Sequence, residues 1–226
     1  MRRISLDDFR SALAGRQAGP LGRYRYFSVL VPLVERGGEL CVLFEARSDS
    51  LRRQPGETGF PGGSVEAGET PLECAVRETG EELGIPREDI EIIGELDYIR
   101  TYSDFTLYSF LGAVSEDACG ALRLNPAEVK DVFLVPVSFF MESEPLVYRC
   151  DVVPAVGDDF PYGRIQQDGA YRWRSGSAVV PIYTFEGRAI WGLTARIVMN
   201  LAEMLRQPAP RAGGDNAGAD GYFSQG

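Results

Sequence analysis

The apolar positions of the chain fall into short blocks with two different periods. Tyr24 to Val34 is near-continuously apolar after Tyr26, which suits a strand covered on both faces. A Gly37-Gly38 turn leads into a second such block, Leu40 to Glu45. Ile90 to Ile93, Leu96 to Thr101, Thr106 to Val114, Val132 to Val137 and Val179 to Phe185 read as further strands. The period changes between residues 70 and 84, where Leu72, Val76, Thr79 and Leu83 recur at three- and four-residue steps and predict a helix with that face inward. Its start is marked by Thr70, Pro71 and Glu73 in cap, first-turn and capping-box positions, and its stop by Gly84. A closing helix is predicted over Trp191 to Leu205, with Leu193, Ile197, Leu201 and Met204 as its stripe. Strands flanked by a few helices with mixed connections predict an α/β sandwich.

The ends and one internal stretch depart from this pattern. Residues 5–14 read as a short amphipathic helix. Residues 142–176 mix a strand-like Leu146 to Val153 with Gly, Pro and Asp, and are expected to form an extended insertion near the mouth of the site. Residues 208–226 are rich in Gly, Ala, Pro and Asp and are expected to be disordered. One domain over 1–207 is the expectation for a chain of 226 residues.

The polar face of the helix over 70–84 carries the chemistry. Glu78, Glu81 and Glu82 stand at i, i+3 and i+4, so their carboxylates project from one side. A run of glutamates alone is usually a solvated surface. Here a Gly-rich turn ending at Gly63 precedes it, Glu69 follows at a set distance, and Arg77 adjoins Glu78. Clustered like charges need an offset, and a hard divalent cation with oxygen ligands supplies one; Mg²⁺ or Mn²⁺ fits best. Arg77 can pair with Glu69 or Glu73 and steady the cluster.

Composition removes other chemistries. The chain has no histidine, and Cys41, Cys74, Cys119 and Cys150 have no C-x-x-C spacing. Structural zinc and histidine-activated nucleophiles are thereby excluded. Cys74, one turn before Glu78, reads as a small packing residue. No apolar run is long enough to cross a bilayer and the N-terminal segment lacks a signal-peptide pattern, so no membrane partner and a cytoplasmic location are expected. A net charge of −10 argues against a nucleic-acid partner. Of the 23 basic residues all but Lys130 are arginine, the residue suited to bidentate phosphate contact.

The spacing from Gly63 to Ile85, G-x5-E-x7-R-E-U-x-E-E-x-G-U with U apolar, resembles the signature of the Nudix hydrolases; only Thr79 departs from it. The resemblance implies a Nudix-type α/β/α sandwich with a mixed central sheet, and hydrolysis of a pyrophosphate bond with divalent metal. It implies Glu78, Glu82 and Glu81 as metal ligands, with the Gly63 carbonyl and Glu128 as further ones, and Arg77, Glu81 and Glu82 in catalysis. The general base stays open among Glu81, Glu82, Glu128 and, more weakly, Glu57.

Upstream, Arg47-Ser48, Leu51-Arg52, Gly56 and Phe60-Pro61-Gly62-Gly63 resemble the extra motif of the coenzyme A diphosphatase branch, with Gln54 where that branch usually has His. Ile190 to Arg196 is similar to the Trp-Gly-x-Thr-Ala run that opens its last helix; core packing is the expected role of Trp191 itself. The implied substrate is coenzyme A or a derivative, contacted by Arg47, Arg52 and Phe60. The alternatives are another nucleoside diphosphate-X, such as ADP-ribose or a dinucleoside polyphosphate, and a catalytically silent Nudix-fold binding domain. Oligomeric state is not legible from the sequence.

Overall fold

The computed structural model describes residues 4–16, 21–22, 24–165 and 171–207; the tail expected to be disordered lies outside the described residues. Helix α1 (Leu6–Leu13) begins at a capping box in which Ser5 and Asp8 satisfy each other's backbone N–H groups, and none of its residues is buried. Strands β1 (Arg25–Arg36) and β2 (Glu39–Arg47) form a hairpin around Gly37 and Gly38, both of which adopt positive φ. Their apolar runs are continuous because both faces are covered.

The β1–β2 ladder runs from Arg36↔Glu39 to Leu33↔Val42. Past that point two short strands take up the pairing: β3 (Thr58–Gly59) on β2 and β4 (Gly62–Ser64) on β1. The Gly-rich turn is thus wedged between the two central strands.

The elements that follow are α2 (Pro71–Leu83), β5 (Ile90–Glu95), β6 (Ile99–Arg100), β7 (Phe105–Val114), α3 (Glu116–Gly120), β8 (Val129–Pro136) and α4 (Val137–Glu142). After these come β9 (Leu146–Val152), β10 (Gly176–Phe185), β11 (Arg188–Trp191) and α5 (Gly192–Arg206). Strand β7 lies parallel to β1, and β5 and β6 pair antiparallel with β7. Strand β8 pairs antiparallel with β2. The eight-stranded sheet is therefore mixed. One core packs it against α2 through Leu30, Leu43, Ala75, Leu83 and Phe110. The other packs it against α5 and a small β9–β10–β11 sheet through Phe44, Phe140, Tyr183, Ile190 and Ile197. This is the expected sandwich, except that one outer layer is part helix and part antiparallel sheet.

Several expectations need correction. Val137 starts α4 rather than ending a strand, and α3 and α4 are too short for helical periodicity to show. The strand expected over Leu96 to Thr101 shrinks to Ile99–Arg100. In α5 the buried residues are Ala195, Ile197, Val198, Leu201 and Ala202, so the stripe is rotated by small residues and Met204 is exposed. Trp191 is 42% exposed rather than part of the core. Within residues 142–176, the strand-like part is indeed a strand, β9, at the edge of the small sheet with exposed side chains.

Candidate active site

Helix α2 is fixed at both ends by its own sequence. The Thr70 hydroxyl accepts from the Glu73 N–H at 3.3 Å, and the Glu73 carboxylate accepts from the Thr70 N–H at 2.7 Å. Gly84 takes the left-handed conformation, φ 72°, that ends the helix. Thr79, the departure from the apolar pattern, is fully buried, and its hydroxyl donates to the Ala75 carbonyl at 2.7 Å. The polar atom is satisfied within the helix, so Thr79 fills an apolar slot without an unmet hydrogen bond.

The carboxylates of this helix divide by depth. Glu82 is only 4% exposed and accepts from the Gly62 N–H at 2.8 Å. Glu78 is half-buried and so close to the Gly-rich turn that a Cβ on Gly63 would collide with its carboxylate. Glu81 points outward, its side chain 56% exposed. Arg77 organises the group: it grips Glu69 with two nitrogens at 3.1 and 2.9 Å and reaches Glu78 at 2.9 Å and Glu81 at 3.2 Å. The Arg77 guanidinium, helped by the Glu66 N–H, holds the Glu69 carboxyl well below the usual range, at about 2. Cys74 is buried with its thiol 3.7 Å from the Gly63 carbonyl, and burial pushes it up to about 12. It is a packing residue, as expected.

Two carboxylates arrive from outside the helix. Glu128 follows a turn anchored by Asn125, whose N–H donates to the Glu82 carbonyl at 2.9 Å and whose amide donates to Glu128 at 3.2 Å. The Ser48 N–H in turn donates to the Glu128 carbonyl at 2.8 Å. Glu45 was not anticipated: it is 1% exposed, opposite Gly59 of β3 and Val132 of β8. Strand alternation puts it on the same sheet face as Leu43, which packs with α2. Burial first, and then the nearby Glu128 and Glu78 charges, push the Glu45 carboxyl upward against the pull of Arg47. Burial and the Glu45 charge push Glu82 the same way, and burial raises Glu78. The sequence signal for Glu45 was a charged residue ending a strand whose neighbours are all apolar.

These oxygen donors fit a hard divalent cation. Burial and mutual repulsion disfavour the charged forms of Glu45, Glu78 and Glu82, and Oε2 of Glu45 is buried with no hydrogen-bond partner. Glu78 is held by Arg77 and Glu82 by Gly62, and among the described residues no three acidic side chains converge as a formed cation cage.

The expected substrate contacts separate. Arg47 ends β2, exchanges backbone hydrogen bonds with Glu57 and Gly56, and leaves its buried Nε without a partner. Arg52 is exposed on the loop between Arg47 and β3. Phe60, expected to touch substrate, is instead 6% exposed and stacks on Phe44 at 4.9 Å within the α5-side core. Its neighbours on the opposite sheet face carry the charge; Phe60 anchors the turn. A separate groove of about 730 Å³ lies toward the other end of β1, lined by acids such as Glu35, Glu88, Glu91 and Glu116. That lining does not suit a phosphate ligand, and no residue of α2 contributes to it.

The NUDIX domain family matches residues 25–146, and the chain belongs to that family; it is a Nudix hydrolase, a class that generally uses divalent metal ions. The peroxisomal coenzyme A diphosphatase NUDT7 of Mus musculus is 34% identical over 166 residues, 71% of this chain and 68% of that protein. Nudix hydrolase 3 of Caenorhabditis elegans is 43% identical over 112 residues, covering 49% of this chain and 47% of that protein's length. The uncharacterized Nudix hydrolase NudL of Citrobacter koseri is 30% identical over 203 residues, 88% of this chain and 94% of that protein. Among the described residues no helix is long and apolar enough to cross a membrane.

Proposed function

We propose that this Nudix hydrolase cleaves the pyrophosphate of coenzyme A, or of a thioester or disulfide derivative, to 4′-phosphopantetheine (or its acylated form) and adenosine 3′,5′-bisphosphate. The observation that carries the reading is the path of residues 47–63. The segment that resembles the coenzyme A diphosphatase motif starts at the half-satisfied Arg47 and ends where the Gly62 N–H meets Glu82. The segment that resembles the substrate motif therefore leads directly into contact with the helix of carboxylates. The likeness to the mouse coenzyme A diphosphatase supports the same substrate.

Glu78 and Glu82 would hold Mg²⁺ or Mn²⁺, with the Gly63 carbonyl and Glu128 at its edge. The cation acidifies water and offsets phosphate charge when bound. Glu128, tied to the end of α2 through Asn125, is the carboxylate we assign to accept the proton of the attacking water. Glu81 is the exposed alternative. Arg77 keeps Glu78 in place while Glu69 neutralises the rest of its charge. Arg47 and, from the exposed loop, Arg52 are the arginines we assign to the phosphates and the nucleotide. Cys41, Cys74, Cys119 and Cys150 are free thiols, which fits a reducing compartment such as the cytoplasm.

The test is a kcat/KM comparison across coenzyme A, ADP-ribose, NADH and diadenosine polyphosphates with magnesium or manganese. Coenzyme A should lead. Preference for a compound lacking pantetheine would overturn the substrate assignment while leaving the hydrolase intact.

A further inference from the structure

Glu45 lies outside the Nudix signature and outside the extra motif, yet it is the most deeply buried carboxylate near α2. A buried carboxyl needs partners in either protonation state: donors if ionised, an acceptor for its O–H if neutral. Oε2 of Glu45 has neither. Arg47, the cation that acts on it electrostatically, sits two residues along the strand, and its own Nε is likewise buried and unpartnered. The two side chains therefore do not satisfy each other. The electrostatic neighbours of Glu45 are the carboxylates of Glu78, Glu82 and Glu128 together with Arg47. Strand β3 covers it through Gly59, whose missing side chain leaves about 4.0 Å between that backbone's Cβ direction and Glu45 Oε1. Burying an unpaired charge in this way is costly, and the protein alone offers no compensation.

We propose that Glu45 is a further cation-facing carboxylate of the metal centre, contributed by β2 from beneath the Gly-rich turn. The proposal rests on the metal-dependent reading above. It gives the site one wall from helix α2, one from the Glu128 turn and a floor from the central sheet. An ordered water on Oε2 is the competing occupant.

Manganese binding decides between them, measured by paramagnetic resonance of free Mn²⁺ and by the rise in melting temperature that Mn²⁺ produces. Glu45→Gln keeps the shape and removes the charge. Its dissociation constant for Mn²⁺ should rise by about 10- to 100-fold, its Mn²⁺-induced thermal shift should shrink, and its melting temperature without metal should equal or exceed that of the native protein. An affinity within about twofold of native, on the tenfold-per-1.4 kcal/mol scale a negligible change, would assign Oε2 to water and overturn the proposal. If Glu45→Gln does not fold, Glu45→Asp decides: it keeps the charge but withdraws it by one methylene, and native affinity there also overturns the proposal. Failure of the native protein to take up Mn²⁺ would instead defeat the metal-dependent reading itself.

Discussion

A single methyl group added at Gly63 separates the architecture of the site from its chemistry. The Cβ of Gly63→Ala would stand 2.8 Å from Glu78 Oε2 and closer still to the rest of that carboxylate. The carboxylate ends a flexible side chain and can rotate away, at the loss of its 2.9 Å contact with Arg77. Overpacking of this kind costs about 1–3 kcal/mol, and a yielding neighbour puts Gly63→Ala at the lower end. For a chain of this length about 1 kcal/mol lowers the melting temperature by about 2–4 °C. Gly62→Ala is the control. Its Cβ would meet backbone, the Ser28 carbonyl and, at 2.7 Å, the Val29 Cα, which cannot move without parting β4 from β1. That variant should lose about 3 kcal/mol or more, two or three times the thermal shift. Turnover should reverse the order of severity per degree lost. Moving Glu78 misplaces a group proposed to hold the cation, and a displacement near 1 Å costs about 10²-fold in rate. Calorimetric melting and initial rates with magnesium and coenzyme A measure both quantities. A Gly63→Ala enzyme with native turnover, or one that melts as early as Gly62→Ala, would refute the reasoning.

Other perturbations test neighbouring parts of the site. Glu82→Gln retains a carbonyl to accept from Gly62, so it should fold normally while turnover falls by about 10²-fold or more; near-native turnover would contradict its role. Phe60→Ala should cost about 3–5 kcal/mol of stability, seen in denaturant unfolding, whereas Arg52→Ala should leave stability alone and mainly raise KM. An unchanged KM would return Arg52 to the solvated surface. The Glu69 carboxyl, held at about 2 against an ordinary value of 4.5, contributes stability that is present above 4.5 and lost as pH falls toward 2. Melting curves of Glu69→Gln should lack that part of the acid limb. Glu45 and Glu82 are raised by burial, so their contribution runs oppositely: it is greatest at low pH and declines as pH rises. The native protein without metal should gain more from Mn²⁺ at the alkaline end.

What could be read from the sequence follows from which interactions are local. The caps of α2, its Gly84 stop and the shared side of Glu78 and Glu82 all depend on residues within a few positions, and each was legible. The family resemblance also implied the Gly63 carbonyl as a metal ligand beside the carboxylates of the helix. Glu45 escaped because its significance arises only when β2, β3 and the Glu128 turn pack together, which no local period encodes. Phe60 differs from expectation for the same reason: its place in a motif near substrate residues conceals that the turn between β3 and β4 puts its ring in the opposite core. Trp191 failed in the reverse direction. A large apolar residue at a helix entry predicts burial, but as the last residue of β11 it stands at the sheet's end with its ring exposed. Short helices α3 and α4 gave no periodic signal, and the stripe of α5 was displaced because Ala195 and Ala202 bury as fully as the larger residues that were counted.

The proposed chemistry is one event at one place: water delivered to a P–O–P linkage beside the carboxylates of α2. Mass spectrometry of coenzyme A incubated with the purified chain examines it directly. With magnesium or manganese present, equal amounts of 4′-phosphopantetheine and adenosine 3′,5′-bisphosphate should accumulate, and excess chelator should stop them. Intact coenzyme A after prolonged incubation of folded protein with either metal, or cleavage that continues undiminished in chelator, would contradict it.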